Sequence, residues 1–184
     1  KIPENLQHAF VAIEDSRFYQ HNGIDIKGII RAGMVGIMNG GHFTEGASTI
    51  TQQLIKNNVF PDFVNETKYE KIERKLQEQY LALQIEKMLD KDSILESYMN
   101  TINLGQNTLG VQAAANRYFR KDVSELTLSE CATIAGITQS PGRYNPITNP
   151  EENAKRRDKV LNNMLEQGYI TQEEYDEAEA DDVY

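Results

Sequence analysis

Amphipathic helical segments follow one another along almost the whole chain, and no stretch alternates apolar and polar residues as a half-buried strand does. Thr67 opens the longest segment, which runs to Leu89. One face of that segment, which we expect to be buried, carries Ile72, Leu76, Tyr80 and Leu83. The pattern predicts one all-α domain over residues 1–184.

Capping residues and glycines mark where the other helices begin and end. Pro3 suits the first turn of a helix that we expect to continue until Gly23. A very apolar helix follows over residues 26–38, and a helix that starts at Pro150 should end at Gly168. The expected N-terminal caps are Asp25, Ser48, Thr67, Asp92, Thr127, Asn149 and Thr171.

Composition excludes several classes of protein. The chain has 184 residues, of which 39% are hydrophobic and 26% are charged, as in soluble globular domains. The formal charge of -9 argues against nucleic-acid binding, so an anionic ligand requires a local cluster of cations. A single cysteine, Cys131, excludes an internal disulfide and should be buried in an apolar helix. No apolar run is long enough for a membrane span, so we expect any anchor segment to lie outside this chain.

The stretch EGASTITQQLIKN, residues 45–57, has the features of an anion-binding helix N-terminus. Ser48, Gln52 and Lys56 recur every four residues and form a polar stripe roughly opposite Ile50 and Leu54. Backbone N–H groups, a hydroxyl and a cation near a helix start suit a phosphate group. The alternative is an ordinary amphipathic surface helix.

Glu14 interrupts an apolar stripe in the first helix. Its neighbours at steps of four residues are Leu6, Phe10 and Phe18, so we expect its carboxyl to be partly desolvated. Desolvation raises a carboxyl pKa toward the range that is useful for proton transfer. Asp15 points about 100° further round the helix and should be better solvated. The alternative for Glu14 is a structural carboxylate paired with an arginine.

A second charged group, Arg74, Lys75 and Glu78, lies on the long helix away from the apolar stripe. That opposite face becomes apolar further along, so its charged part should line a cleft. Ion pairs between neighbouring helical turns are the alternative. Together with Glu14 and Lys56, this group supplies the carboxylates and cations needed to move a group off a phosphate-bearing donor.

Five segments resemble, in order, the five motifs of the peptidoglycan glycosyltransferase family, which occurs in class A penicillin-binding proteins and in monofunctional transglycosylases. They are EDSRFYQHNG, ASTITQQLIKN, RKLQE, ILESYMN and GVQAAANRYFRK. The resemblance covers nearly the whole chain. It implies an all-α, lysozyme-like large lobe with a small membrane-facing jaw lobe, the latter at residues 24–70.

The resemblance also implies roles for single residues. Glu14 corresponds to the catalytic base, and Glu78 to a second essential carboxylate. The residues that would bind the donor sugar and its phosphates are Asp15, Ser48, Gln52, Gln53, Lys56, Arg74 and Lys75. Family members also carry a further basic residue before Arg74, for which Lys68 and Lys71 are alternatives here. Arg120 stands where the family usually has glycine.

The implied reaction is the polymerisation of lipid II at the outer face of the bacterial cytoplasmic membrane. The 4-hydroxyl of lipid II would attack C1 of a glycan chain on undecaprenyl pyrophosphate and form an inverted, β-1,4 link. The donor mimic moenomycin is the family's inhibitor. The implied partners are lipid II, the lipid-linked glycan chain, the membrane surface and a transpeptidase domain in the same full-length chain. No metal-ligand cluster is evident, so no obligate cofactor is predicted, although Mg²⁺ or Mn²⁺ can bind a pyrophosphate.

Two other functions use similar residues. A glycan-cleaving enzyme on a lysozyme-like fold also needs one glutamate of raised pKa, but it needs no cation cluster for a pyrophosphate. A non-catalytic lipid-binding helical module needs neither Glu14 nor Glu78.

The apolar segment 26–38 is too short to cross a bilayer and unusually apolar for a surface helix. Core burial is one explanation. The other, which the resemblance favours, is an interfacial helix that dips into the membrane while Lys27 and Arg31 contact lipid headgroups.

Overall fold

The computed structural model describes residues 1–40, 47–60 and 66–184, so Glu45 and Gly46 of the predicted anion-binding stretch lie outside the described residues. Its α-helices are α1 (Glu4–Glu14), α2 (Ile26–Met38), α3 (Ile50–Val59), α4 (Lys68–Met88), α5 (Lys91–Thr101), α6 (Val111–Ala114), α7 (Leu128–Ala135), α8 (Pro150–Glu166) and α9 (Gln172–Ala180). Five residues of π-helix, Ala115–Phe119, follow α6, and a 3₁₀ turn spans Val123–Glu125. Extended pairing in the described ranges is limited to one bridge between Asn103 and Leu109.

The chain forms two compact units. The terminal unit contains Lys1–Ser16 and Met99–Tyr184, and the inner unit contains Arg17–Tyr98. The inner unit covers a different range from the predicted jaw lobe at residues 24–70, and the division into units does not test which part faces the membrane. The jaw lobe therefore stays a prediction.

The terminal unit is built on α1, α7 and α8, which pack against one another, while α9 lies against α8. Phe10, Ile134 and Leu161 are among its fully buried side chains. Each such side chain contributes about 1.5–3 kcal/mol when it leaves water. Cys131 is also buried here, as predicted, and burial raises the pKa of its thiol to about 12.

The inner unit depends on the packing of α3 against α4. Its core includes Phe18, Ile50, Ala82 and Ile94, all of them fully buried. Gly23 lies against α4 so closely that a Cβ atom would be 2.7 Å from the carbonyl oxygen of Ala82. Its φ of +116° also requires glycine at this position.

The first helix ends earlier than predicted. α1 stops at Glu14, and Asp15 leaves the helical conformation with φ -161° and ψ 78°. Asp and Ser are weak helix formers, and here they occur in succession before a turn that begins at Arg17. Phe18 is therefore not on the apolar stripe of α1; it is buried in the inner unit.

The apolar stripe of α4, which is predicted to be buried, is largely exposed, whereas two charged residues of the opposite face are buried. Ile72, Leu76 and Tyr80 are between 53% and 63% exposed, whereas Arg74 and Glu78 are 8% and 2% exposed. Charged side chains are buried when each satisfies the other, and these two form an ion pair one turn apart. Their pairing allows this part of α4 to be buried.

Most of the predicted caps are confirmed. Asp25 accepts a hydrogen bond from the N–H of Gly28, and Thr67, Thr127 and Thr171 cap α4, α7 and α9. Pro150 begins α8, with Gly168 just beyond its end. Two predictions are wrong by one or two residues. Thr49 rather than Ser48 caps α3, and Asp90 rather than Asp92 accepts the capping hydrogen bond at the start of α5.

Arg120 replaces the usual glycine of the family in a left-handed conformation, with φ 53° and ψ 41°. It directly follows the π-helix Ala115–Phe119, where its N–H donates to the carbonyls of that helix. A non-glycine residue in this conformation costs about 1 kcal/mol, which the fold tolerates. Arg120 thus adopts a conformation that glycine reaches more easily.

α2 is exposed over most of its surface. Ile30 and Met34 are each 58% exposed, and Ile37 is 75% exposed, so the explanation by core burial is wrong. Of its residues, Ala32 and Gly36 are the buried ones. Within the described ranges, no helix combines the length and apolar character needed to cross a membrane.

Candidate active site

A reciprocal pair of hydrogen bonds fixes the start of α3. The N–H of Gln52 donates to Oγ1 of Thr49 over 3.1 Å, and the N–H of Thr49 donates to Oε1 of Gln52 over 3.0 Å. Thr49 in turn donates its hydroxyl hydrogen to the carbonyl of Gly23 over 2.8 Å. The carboxamide oxygen of Gln52 thus serves the helix cap, and substrate binding by this residue stays a prediction.

A cavity of about 450 Å³ lies in the inner unit beside α3 and the first half of α4. It is lined by Ser48, Lys56, Glu66, Lys71, Arg74, Lys75 and Glu78. Four cations and two carboxylates give the lining a formal charge of +2, in a chain whose total charge is -9. This cation cavity brings together the predicted residues of two motifs and supplies the local positive cluster that an anionic ligand requires.

Arg74 is held between two carboxylates inside the cation cavity. Its Nε donates to both oxygens of Glu66 over 3.0 and 2.9 Å, and its Nη1 donates to Oε2 of Glu78. The three side chains are between 3% and 12% exposed. The planar guanidinium is therefore fixed in orientation, with Glu78 contributing from the next turn of the same helix.

The surroundings of Lys75 disfavour the charged form of its side chain. Partial burial of its ammonium, and then the neighbouring charges of Lys71, Arg74 and Lys56, lower the pKa of Lys75. Cations that repel one another are stabilised when an anion comes between them. The cation cavity is thus electrostatically suited to a phosphate or pyrophosphate group.

Sequence reasoning missed Glu66 and left Lys71 and Lys68 as alternatives. Lys71 lines the cation cavity, whereas Lys68 is not among its lining residues. The helical spacing of Lys71 from Arg74 and Lys75 is a signal that could have selected it. Glu66 lies outside α4, so no helical periodicity could have placed it against Arg74.

Gln53 bonds to a buried tyrosine, whereas Gln52 bonds to the helix cap. Its Oε1 accepts a hydrogen bond over 3.1 Å from the hydroxyl of Tyr98, which is 1% exposed. Gln53 is not among the residues that line the cation cavity, and its predicted part in donor binding stays a prediction.

A polar network centred on Glu86 ties α3 to α4 and α5. Oε2 of Glu86 accepts from the hydroxyl of Thr51 over 2.9 Å and from Nζ of Lys91 over 2.8 Å. Nδ1 of His21 lies 3.7 Å from the same oxygen and accepts from the N–H of Gly23 over 3.0 Å. His21 therefore contacts the turn that follows it. This network fixes α3, on which Lys56 is carried, relative to α4.

Glu14 is the last residue of α1, in the terminal unit. The hydroxyl of Thr138 donates to Oε1 of Glu14, and the side-chain amides of Asn163 and Gln167 donate to the carbonyl of Ala12 over 3.2 and 3.1 Å. The end of α1 is thus held by polar side chains from two directions. Glu14 is partly exposed, as a group that exchanges protons with a substrate must be.

Asp15, by contrast, is 6% exposed, so the prediction that it is the better solvated of the two carboxylates is wrong. It is the residue at which α1 ends, and the change of backbone direction there turns its side chain inward. Its predicted contact with the donor stays a prediction.

The terminal unit has a cavity of its own, of about 610 Å³. Its lining is neutral and rich in side-chain amides and includes Asn103, Gln106, Asn107 and Asn145. Asn145 is 3% exposed, and its Oδ1 accepts from two backbone N–H groups of the loop that follows. Amide groups fixed in this way suit the hydroxyls of an uncharged sugar better than a phosphate.

No group of three or more His, Cys, Asp or Glu side chains in the described ranges is arranged to hold a metal ion. The two carboxylates of the cation cavity, Glu66 and Glu78, are both paired with Arg74. They are therefore a poor fit for a divalent cation held by the protein itself.

Comparison with known proteins identifies the family of this chain. The sequence model of the family described as Transglycosylase matches residues 1–165. Penicillin-binding protein 1A of Clostridium perfringens strain 13 is 50% identical over 186 residues, which cover 97% of this chain and 26% of that protein. Penicillin-binding protein 1A of Escherichia coli K12 is 45% identical over 183 residues, which cover 100% of this chain and 21% of that protein.

A solved structure shows the same fold. The crystal structure of penicillin-binding protein 1A from Haemophilus influenzae matches with a TM-score of 0.58 and 28% identity, over 100% of this chain and 17% of that chain. The likeness confirms the predicted all-α, lysozyme-like fold class. The chain spans about a quarter or less of the length of these relatives. It belongs to the transglycosylase family and is a peptidoglycan glycosyltransferase domain of the kind found in penicillin-binding protein 1A.

Proposed function

We propose that this domain polymerises lipid II, using a glycan chain on undecaprenyl pyrophosphate as the donor. The observation that carries the proposal is the cation cavity, which gathers Lys56, Lys71, Arg74 and Lys75 in an otherwise acidic chain. A pyrophosphate leaves readily only when its growing negative charge is neutralised, and preorganised cations do this without rearranging during the reaction.

Glu14 is the proposed general base. The 4-hydroxyl of lipid II is a weak nucleophile at neutral pH, so a carboxylate must take its proton as the new bond forms to C1 of the donor sugar. Attack opposite the leaving pyrophosphate inverts C1 and gives a β-1,4 link. Thr138 donates to Oε1 of Glu14 and so orients the carboxylate that would take this proton.

Glu78 has a different proposed role from Glu14. It is 2% exposed and bonded to Arg74, so it is better placed to hold the guanidinium than to exchange protons with a sugar. Removing it would take away the contact that holds Arg74 from within α4, and so leave the guanidinium less firmly oriented. On this account its replacement weakens donor binding and transfer together.

The donor carries neutral sugars as well as phosphates. The amide-lined cavity of the terminal unit, with Asn103, Asn107 and Asn145, is suited to sugar hydroxyls through hydrogen bonds that need no charge. We propose that it contacts the glycan part of a substrate, while the cation cavity takes the pyrophosphate.

The proposed location is the outer face of the bacterial cytoplasmic membrane, where lipid II is the partner. The exposed apolar surface of α2 supports contact with lipid. Because the relatives named penicillin-binding protein 1A are about four to five times longer, a transpeptidase domain in the same full-length protein is also proposed. That no metal is obligatory, although Mg²⁺ or Mn²⁺ can assist at the donor pyrophosphate, stays a prediction, which polymerisation with and without a chelator would check.

The test is incubation of the domain with lipid II, followed by gel separation of the products. We expect a ladder of glycan strands from the wild type and none from Glu14→Gln. A parallel incubation with finished glycan strands separates the alternatives, because a glycan-cleaving enzyme shortens them. Binding of lipid II without polymer or cleavage would identify a non-catalytic lipid-binding module and overturn the proposal.

A further inference from the structure

Glu66 is an anion inside a cavity that is otherwise suited to bind anions. Both of its carboxylate oxygens accept from Nε of Arg74, at 3.0 and 2.9 Å, and the two side chains are 12% and 9% exposed. Hydrogen bonding to Arg74 first, and then the charges of Arg74, Lys71 and Lys56, lower the pKa of Glu66. Glu66 is therefore ionised at neutral pH and contributes a full negative charge.

A carboxylate and a phosphate compete for the same groups of a guanidinium. Both accept hydrogen bonds from its N–H groups in the guanidinium plane, with similar geometry and charge assistance. A phosphate oxygen that takes the Nε–H of Arg74 must therefore displace Glu66.

The two carboxylates on Arg74 differ in how firmly they are held. Glu78 lies one turn from Arg74 within α4 and is 2% exposed, so its backbone is fixed by helical hydrogen bonds. Glu66 precedes the capping residue Thr67 and lies outside the helix. Glu66 is thus the partner that can give way, while Glu78 keeps the guanidinium in place.

We propose that Glu66 is an internal competitor for the donor pyrophosphate. It occupies Arg74 until a phosphate replaces it, and it returns to Arg74 as the pyrophosphate product leaves. Glu66 thereby weakens donor binding and speeds product release. This inference rests on the proposed function, since it assigns the pyrophosphate to the cation cavity.

The test compares Glu66→Gln with Glu73→Gln. Both variants remove one negative charge from the same region, but Glu73 is exposed on α4 and does not line the cation cavity. Calorimetric titration with inorganic pyrophosphate should show affinity about three- to tenfold higher for Glu66→Gln than for the wild type. The affinity of Glu73→Gln should stay within about twofold of the wild type, as expected for a screened surface charge.

Steady-state kinetics separate competition from a structural role. With lipid II as substrate, Glu66→Gln should lower KM and also lower kcat, because the product leaves more slowly. If Glu66 only positioned Arg74, its loss would raise KM and weaken pyrophosphate binding. Should Glu66→Gln fold poorly, Glu66→Asp keeps the charge at a shorter reach and should give an intermediate gain in affinity.

Two outcomes are distinguishable. Unchanged or weaker pyrophosphate binding by Glu66→Gln, with a wild type that polymerises lipid II, overturns the competitor role alone. A wild type that forms no polymer from lipid II overturns the proposed function, and with it the assignment on which this inference rests.

Discussion

Thr138 donates its hydroxyl hydrogen to Oε1 of Glu14, and so joins the turn after α7 to the end of α1 across 124 residues of sequence. The carbonyl oxygen of Ala135, 3.2 Å from the same hydroxyl, is the alternative acceptor for its single hydrogen. One oxygen of Glu14 is thus held in place. A base oriented in this way needs less rearrangement when the acceptor hydroxyl arrives.

Replacing Glu14 by glutamine keeps the shape of the side chain but removes proton acceptance, so polymerisation should fall by about 10²-fold or more. Thr138→Val removes the orienting hydroxyl and should lower kcat by about tenfold. Thr138→Ser retains that hydroxyl and is the control, with a rate near that of the wild type. A wild-type rate for folded Glu14→Gln would exclude Glu14 as the base.

Local and long-range features of this site differ in how far the sequence predicts them. The caps at Asp25, Thr67 and Thr127 were predicted correctly, because a cap depends on residues within one turn. The cluster of Arg74 and Lys75 was also found, since helical spacing places the two on neighbouring faces. What the sequence does not predict is the exposure of the apolar stripe of α4, which includes Ile72, Leu76 and Tyr80.

That failure has a physical cause. α4 is apolar on one side and carries charges that satisfy each other on the other side, so the pattern alone does not decide between them. The burial of Arg74 also involves Glu66, which lies outside α4 and therefore outside its periodicity. The early end of α1 was missed for a similar reason, because Phe18 reads as part of the apolar stripe although it belongs to the inner unit.

Binding of a donor mimic should depend on pH through Lys75. Because the pKa of Lys75 is lowered, its ammonium loses its proton at a lower pH than an ordinary lysine does. Affinity for moenomycin should therefore fall as the pH rises toward the ordinary pKa of lysine, because Lys75 loses its positive charge. Lys75→Arg stays charged, so it should lose less affinity than the wild type between about pH 7.5 and about pH 10.

Fluorescence or calorimetric titration at the two pH values measures this difference. Lys75→Ala, which lacks the cation at every pH, should bind weakly throughout. Equal pH dependence in the wild type and Lys75→Arg would show that another group controls the binding. Arg74→Ala is a poor variant for this purpose, because it leaves the buried Glu78 without its partner and should destabilise the fold by about 3–5 kcal/mol.

Replacement by alanine should have opposite effects on stability at two glycines. Gly23→Ala places a Cβ atom 2.7 Å from the carbonyl oxygen of Ala82, at a φ of +116°, and should lower the free energy of unfolding by about 2–3 kcal/mol. Gly33 lies within α2, and a Cβ atom added there would meet open space. Gly33→Ala should therefore raise the free energy of unfolding by about 0.5–1 kcal/mol. Urea unfolding of both variants is the measurement, and a loss of similar size in both would contradict the packing of Gly23 on α4.

The exposed apolar surface of α2 should bind lipid. Ile30 and Met34 are 58% exposed on a helix that also carries the exposed cations Lys27 and Arg31. Burying such a surface in the interfacial region is favourable by its apolar area, and the cations can reach anionic headgroups. Vesicles that contain anionic lipid should therefore sediment with the wild type and with less of Ile30→Asp or Met34→Asp.

Ile147→Asp is the matched control, because Ile147 is a 56% exposed isoleucine in the terminal unit rather than on α2. It should sediment with vesicles as the wild type does. Because Ile30 and Met34 are exposed, aspartate at either position should leave the melting temperature nearly unchanged, so a loss of vesicle binding reports on the surface rather than on folding. Undiminished binding by both α2 variants would assign the lipid contact to another part of the protein.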